Sequence, residues 1–241
     1  YDVGRNGDHH YFSMEFIEGG NLRELMRIRK KLSVADATRS TLDMASGLEY
    51  ALGRGFTHRD LKMTNVLLSS KGVAKLVDFG LAGGDLHLHH EPGVPPNDPR
   101  SDLFFLGAIY YELLTGVPAF GRARERSDRA QVSRYRDVRP ITAIDSTLPG
   151  AVVDIVNKML QYNPKARYQT PTALISDLRS AQRELGDSSS PDVPSQPSNK
   201  QRKRRRDSEM RTVMCIEDRS KQQNDLRSYF SKHGFRVLML N

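Results

Sequence analysis

The residues best equipped for chemistry lie in two short stretches. His58-Arg59-Asp60-Leu61-Lys62-Met63-Thr64-Asn65 places a carboxylate, an ammonium group and a carboxamide close together. Asp78-Phe79-Gly80 begins thirteen residues after Asn65. Side chains of these types can accept a proton and neutralise developing charge, the tasks of acid–base and electrostatic catalysis. Neither stretch is decisive alone, since an isolated Asp-Phe-Gly is more often an ordinary turn. Their order and spacing, with one in a loop before a strand and the other at the end of the next strand, carry the signal. His87, His89 and His90 form a second concentration of reactive side chains. Imidazole is a common transition-metal ligand, yet no cysteine lies nearby, and a solvated loop is the favoured reading.

The elements that must position these stretches are readable from periodicity and turn chemistry. Asn6-Gly7 between Tyr1–Gly4 and His9–Phe16 predicts a β-hairpin turning on that dipeptide. Gly19-Gly20 breaks the chain, and Asn21 is a good N-cap for a helix carrying Leu22, Leu25, Met26 and Ile28. Ser33 opens a second helix with Ala37, Leu42, Met44, Ala45, Leu48 and Leu52 on its apolar face. Short strands are expected around 66–68 and 74–77. The stretch from Asp102 to Thr115 is apolar on nearly every side and predicts a central helix. Helices over 152–160 and 172–185 complete a mostly helical body.

Composition bounds the rest. The chain has 241 residues, 37% hydrophobic and 27% charged, which excludes a fibrous protein. No apolar run approaches the length of a transmembrane helix, and no signal peptide is visible at the start. Tyr1 in place of Met suggests a fragment. The single cysteine, Cys215, excludes an internal disulfide framework and a cysteine-based zinc site; it fits a reducing compartment, so a cytoplasmic location is expected. The net charge of +8 is concentrated in a tail, with seven basic and two acidic residues between Lys200 and Arg211. Residues 186–211 are rich in Ser, Pro, Lys and Arg and read as a disordered basic linker.

The two stretches resemble the catalytic loop and the metal-binding triplet of the protein kinase family. Lys62, two residues after Asp60, is the form of the serine/threonine branch, and the chain is most similar to the family's bacterial members. The resemblance covers residues 1–185. It implies a protein kinase-like α+β fold: the end of the small lobe, a hinge, and a mostly α-helical large lobe with a few short β-hairpins. It also implies transfer of the γ-phosphate of ATP to Ser/Thr hydroxyls of a protein substrate in signal transduction. Such transfer needs positioning and charge neutralisation more than covalent work by the protein. By this resemblance Asp60 takes or orients the hydroxyl proton, Lys62 faces the transferring phosphate, and Asn65 and Asp78 are the oxygen ligands of Mg²⁺. Arg59 would steady the loop. The stretch Tyr11–Leu22 looks like the hinge, with Met14 as gatekeeper, Glu15 and Ile17 bonding adenine through their backbone, and Leu67 beneath the ring. Asp102 would anchor the catalytic-loop backbone. Arg167 of Asn163-Pro164-x-x-Arg167 would pair with a Glu closing the activation segment, for which Glu91 is the candidate.

The sequence also departs from the family pattern. No Gly-x-Gly-x-x-Gly and no strand Lys precede the hinge, so weak or absent activity is expected of this chain, with a catalytically inactive scaffold as the alternative. From Asp78 to Asp102 is only 24 residues, without Ala-Pro-Glu and with no Ser, Thr or Tyr between Leu81 and Arg100. Pro95, Pro96 and Pro99 are expected to hold this segment extended. The basic run 200–206 is the one candidate for a nucleic-acid partner; it has no interleaved aromatics, and a solvated tether is favoured. Residues 212–241 read as strand, helix, strand, similar to the opening of a response-regulator receiver domain, with Glu217-Asp218 as the acidic pair. That segment ends before any phosphoacceptor. Oligomeric state is not legible.

Overall fold

The computed structural model describes residues 2–6, 9–13, 15–79, 94–95, 97–121, 133–187, 211–216 and 235–240. The chain divides into two units, Gly19–Pro191 and a second made of Tyr1–Glu18 with Asp192–Asn241.

In the first unit, α1 (Leu22–Arg29) starts where the sequence predicts. Asn21 Oδ1 accepts from the Glu24 amide at 3.0 Å and the Glu24 carboxylate accepts from the Asn21 amide at 3.2 Å, a reciprocal capping box. Leu22 and Met26 are buried, but Ile28 is 79% exposed, contrary to the expected apolar face. Helix α2 (Val34–Leu52) is capped by Ser33, whose hydroxyl accepts from the Asp36 amide at 3.1 Å. Its buried side includes Thr38, Ser40 and Thr41 as well as the predicted Ala37, Met44, Ala45 and Leu48, while Leu42 and Leu52 are partly buried. The two threonine hydroxyls are satisfied within the protein. Thr41 donates to the Ala37 carbonyl at 2.8 Å, and Thr38 lies 2.7 Å from the Tyr110 hydroxyl.

A short antiparallel pair follows, β3 (Val66–Leu68) and β4 (Ala74–Leu76), in register Val66↔Leu76. Asn21 bridges to Leu67, and the Leu68 amide donates to the Gly20 carbonyl at 3.0 Å. A Cβ at Gly19 would collide with the Leu68 carbonyl oxygen, which explains the glycine there.

Helix α3 (Pro99–Thr115) is the centre of the core, with Leu103, Phe104, Leu106, Tyr110 and Leu113 fully buried. It starts three residues before the predicted Asp102. Pro99 does not extend the chain; it occupies the first helical turn, where its missing N–H costs nothing. Asp98 caps the helix and accepts from the Arg100 amide at 2.9 Å. Gly116, at φ 74°, ends it in the left-handed conformation a Cβ disfavours. The short helix α4 (Ser133–Arg136), α5 (Gly150–Met159) and α6 (Pro171–Asp187) complete the unit. Helix α2 packs against α3, α6 and β4, and α5 packs against α3 and α6. Because α6 runs to Asp187, the helix takes up the first two residues of the predicted linker.

In the second unit, β1 (Asp2–Asn6) pairs antiparallel with β2 (His9–Ser13). The register Asn6↔His9 keeps Asn6 in the strand, where the sequence places it in the turn. Strands β5 (Arg211–Ile216) and β6 (Phe235–Leu240) pair in parallel. Met14, Gly80, His87, His89, His90, Glu91, the run 200–206, Glu217-Asp218 and the predicted helix over 222–233 lie outside the described residues.

Candidate active site

The loop from Thr57 to Lys62 has little regular hydrogen bonding of its own, so other elements must hold it. The principal clamp is Asp102 on the first turns of α3. Its carboxylate accepts from the His58 amide at 2.7 Å and from the Arg59 amide at 3.0 Å. Asp102 is only 5% exposed. Burial pushes its carboxyl above the ordinary value of 3.8, opposed by the two amide bonds and by the charges of His58 and Arg59. The His58 ring is fully buried and lies 4.6 Å, centroid to centroid, from Phe79. Neither ring nitrogen makes a hydrogen bond among the described residues. Burial therefore pushes the imidazole below its ordinary 6.5, against the pull of Asp102.

With its start fixed, the loop presents three polar side chains together. Lys62 Nζ lies 2.6 Å from Asp60 Oδ2. Asn65 Nδ2 donates to the same oxygen at 3.2 Å and to the Asp60 carbonyl at 2.9 Å. The Asp60 side chain is 11% exposed and that of Lys62 34%, so the pair sits at a boundary with solvent. Asn65 closes the 3-10 turn Met63–Asn65 and leads directly into β3.

Asp78 reaches the same neighbourhood through the sheet. The Val77 amide donates to the Asn65 carbonyl at 3.0 Å, which extends the β3–β4 register by one step. Asp78 follows at once, exposed, with φ 62°. Arg59 also lies in the left-handed region at φ 66°. Non-glycine residues persist there only where surrounding contacts over-determine the backbone; here the Asp102 clamp and the β3–β4 ladder do so.

The other expected residues divide. Leu67 is partly buried in β3. Glu15 is exposed and Ile17 half-buried, both in the second unit. Met14 lies outside the described residues, and so does Glu91, the expected partner of Arg167. Arg167 is 3% exposed; it donates to the carbonyls of Gln161 at 2.5 Å and Tyr162 at 2.8 Å and lies 4.1 Å from the Phe104 ring centroid. Asp98 escaped sequence reasoning. Its Asp-Pro pair is a helix-start signal that could have found it. Arg100 grips Asp98 with contacts of 2.5–3.1 Å and holds its carboxyl below the ordinary range. Asp43, which accepts from the Ala74 amide at 3.0 Å and ties α2 to β4, carried no sequence signal.

The donor set suits a hard divalent cation. With Nδ2 turned to Asp60, the Asn65 amide oxygen is left for a ligand, and Asp78 adds a carboxylate. Mg²⁺ is commonly held by so few protein oxygens, the rest coming from phosphates and water. Among the described residues no group of three or more His, Cys, Asp or Glu could hold a metal ion by itself.

The sequence is similar to known proteins over much of its length. Residues 1–90 match the family model described as protein kinase domain. The chain is 33% identical over 205 residues to the serine/threonine-protein kinase PknL of Mycobacterium tuberculosis, covering 77% of this chain and 50% of that protein. It is 30% identical over 193 residues to a "probable serine/threonine-protein kinase" of Clostridium perfringens, covering 73% and 28%. PknB of Mycobacterium tuberculosis is 29% identical over 204 residues, covering 74% and 32%. Residues 1–90 thus match protein kinase domain sequence, and the proteins that the chain resembles include bacterial serine/threonine kinases. It spans half or less of the length of these curated relatives.

Proposed function

We propose that the chain acts as a serine/threonine protein kinase, transferring the γ-phosphate of ATP to Ser or Thr hydroxyls of proteins in signal transduction. The observation that carries this reading is the Asp60 carboxylate, gripped by Lys62 and Asn65 on a loop that Asp102 clamps from the core. Asp60 orients the incoming hydroxyl and receives its proton as the new O–P bond forms and the bond to the ADP oxygen breaks. Lys62, which shares an oxygen of Asp60, offers its ammonium to the charge on the transferring group. Asn65 and Asp78 would hold Mg²⁺, which supplies charge neutralisation between phosphate oxygens when bound. Glu15, Ile17 and Leu67 are proposed to bound the adenine, with Met14 as gatekeeper.

The test is incorporation of label from γ-labelled ATP into a generic basic protein. Asp60→Asn and Asp78→Asn should each reduce it at least about 100-fold, the low end of what a positioned acid–base group contributes. Unchanged incorporation in both variants would remove these residues from the chemistry.

Two further parts of this reading follow. Residues 212–241 are read as a receiver-like start, supported by the parallel pairing of β5 and β6, since parallel strands need a crossover of a dozen or more residues. A cytoplasmic site of action is proposed from the single cysteine. Among the described residues no helix is long and apolar enough to cross a membrane.

A further inference from the structure

The last turn of α1 breaks the pattern that buries its other aliphatic residues. Ile28 is 79% exposed, more than any other large hydrophobic residue on the described surface. Arg27, Arg29 and Lys30 surround it in sequence, are all exposed, and make no ion pair or side-chain hydrogen bond among the described residues. The acids in reach are already engaged. Glu24 closes the capping box, Glu112 takes Arg23 at 2.6 Å, and Asp145 takes Lys31 at 3.5 Å. A second aliphatic group adjoins this ridge. Gly116 sits so close to the Lys30 carbonyl that a Cβ there would come within 2.8 Å of it, and the next residue, Val117, is 43% exposed.

Cations in a final helical turn are favoured by the helix dipole, and that alone accounts for a few tenths of a kcal/mol each. It does not account for an uncovered isoleucine among them, since an exposed aliphatic group gains nothing from the dipole. Two separate aliphatic knobs beside uncompensated positive charge match a segment that alternates acidic and aliphatic residues. A bilayer is the poorer match, because an interfacial helix needs a long apolar face and α1 has only eight residues, with its apolar side turned into the core. The location adds meaning. Helix α1 packs against the Met63–Asn65 turn, and its N-cap bridges to Leu67. Eight helical residues span about 12 Å, so the ridge stands one short helix away from the Asp60 loop.

We infer that the ridge Arg27–Lys30 with Val117 is a docking site for an acidic–aliphatic segment of the protein substrate. The inference rests on the kinase reading only for the identity of the segment's owner. Attraction of this kind acts mainly through encounter rate and is screened by salt, with a Debye length of about 10 Å at 0.1 M.

Two measurements on the full chain test it. The first needs no catalysis: anisotropy of a fluorescent twelve-residue peptide alternating Glu and Leu. Binding should weaken at least about tenfold in Arg27→Glu/Arg29→Glu/Lys30→Glu, and also in Ile28→Asp, and it should fall as salt rises. The second compares phosphorylation of one acceptor peptide with and without that acidic segment. The segment should lower KM in wild type and not in the charge-reversed protein, with kcat and phosphorylation of the plain acceptor unchanged. Peptide binding that survives charge reversal overturns the inference, as does binding of the chain to phosphatidylglycerol vesicles but not to the peptide. If no phosphorylation is seen while anisotropy shows the predicted losses, the docking site stands and the kinase reading falls.

Discussion

Replacing Asp102 tests the structural logic of the site most directly. Its two oxygens accept the His58 and Arg59 amides at 2.7 and 3.0 Å from a position only 5% exposed. Hydrogen bonds to a charged acceptor contribute roughly 1.5–3 kcal/mol each. Asp102→Ala removes both and leaves the buried His58 amide unpaired, while it also relieves the cost of burying a carboxylate. The expected net loss is about 3 kcal/mol, or a fall in Tm of roughly 6–12 °C for a unit of this size. Asp102→Asn keeps one acceptor and turns an N–H₂ toward the other amide, so about 2 kcal/mol is expected. Urea unfolding followed by circular dichroism gives the totals. Native-state hydrogen exchange gives the location, because the His58 and Arg59 amides should lose protection well beyond the global change. The label-incorporation assay should fall about 100-fold or more, since a displacement of 1 Å in a positioning group can have that effect. A loss below about 1 kcal/mol with unchanged exchange at those two amides would refute the idea that Asp102 holds the loop.

The remaining predictions are smaller and separable. Asn21→Ala should destabilise by about 1 kcal/mol, the usual worth of an N-cap, measured by urea unfolding. Gly107→Ala sets a Cβ 2.7 Å from that of Met159 where α3 meets α5, and about 1–3 kcal/mol of destabilisation is expected in the same assay. His58 titrates lower in the folded chain than its ordinary 6.5, so the unfolded chain takes up the proton first as pH falls. Stability should be full above pH 6.5 and decline as the pH falls from there toward the folded value, and His58→Phe should flatten that slope in a series of melts. Arg23→Ala removes an ion pair whose guanidinium side chain is 45% exposed, and it should change Tm by no more than about 2 °C.

What was legible beforehand follows a physical division. Local chemistry was readable: the Asn21 and Ser33 caps, the β3–β4 pair and the central helix all announce themselves within a few residues. The stretch 58–65 and Asp78 were readable as a candidate site because their spacing is set by a strand and a tight loop. Long-range burial was not. Thr38 and Thr41 look like surface residues until Tyr110 and the Ala37 carbonyl are seen beside them. Burial in that pairing pushes the Tyr110 hydroxyl up to about 12. Ile28 fits an apolar helical face by spacing, yet α1 is too short and too near its end to bury it. Pro99 was read as a breaker because the Asp98 cap that makes it a helix opener depends on Arg100 closing over the carboxylate.

The same division explains why the core has to hold the loop. The loop that brings Asp60, Lys62 and Asn65 together relies on Asp102 to accept from its His58 and Arg59 amides, and Arg59 and Asp78 stand in a backbone region that costs of order 1–3 kcal/mol each. That cost has to be offset by something rigid. The most buried helix supplies it, by placing a carboxylate at a core position just before the buried Leu103, Phe104, Phe105 and Leu106. Asp102 is an unfavourable core residue taken alone, as its raised pKa shows. It becomes favourable only when the loop's amides arrive, so the order of the loop depends on α3. A chain that packs its core without Asp102 would keep its helices and lose its site.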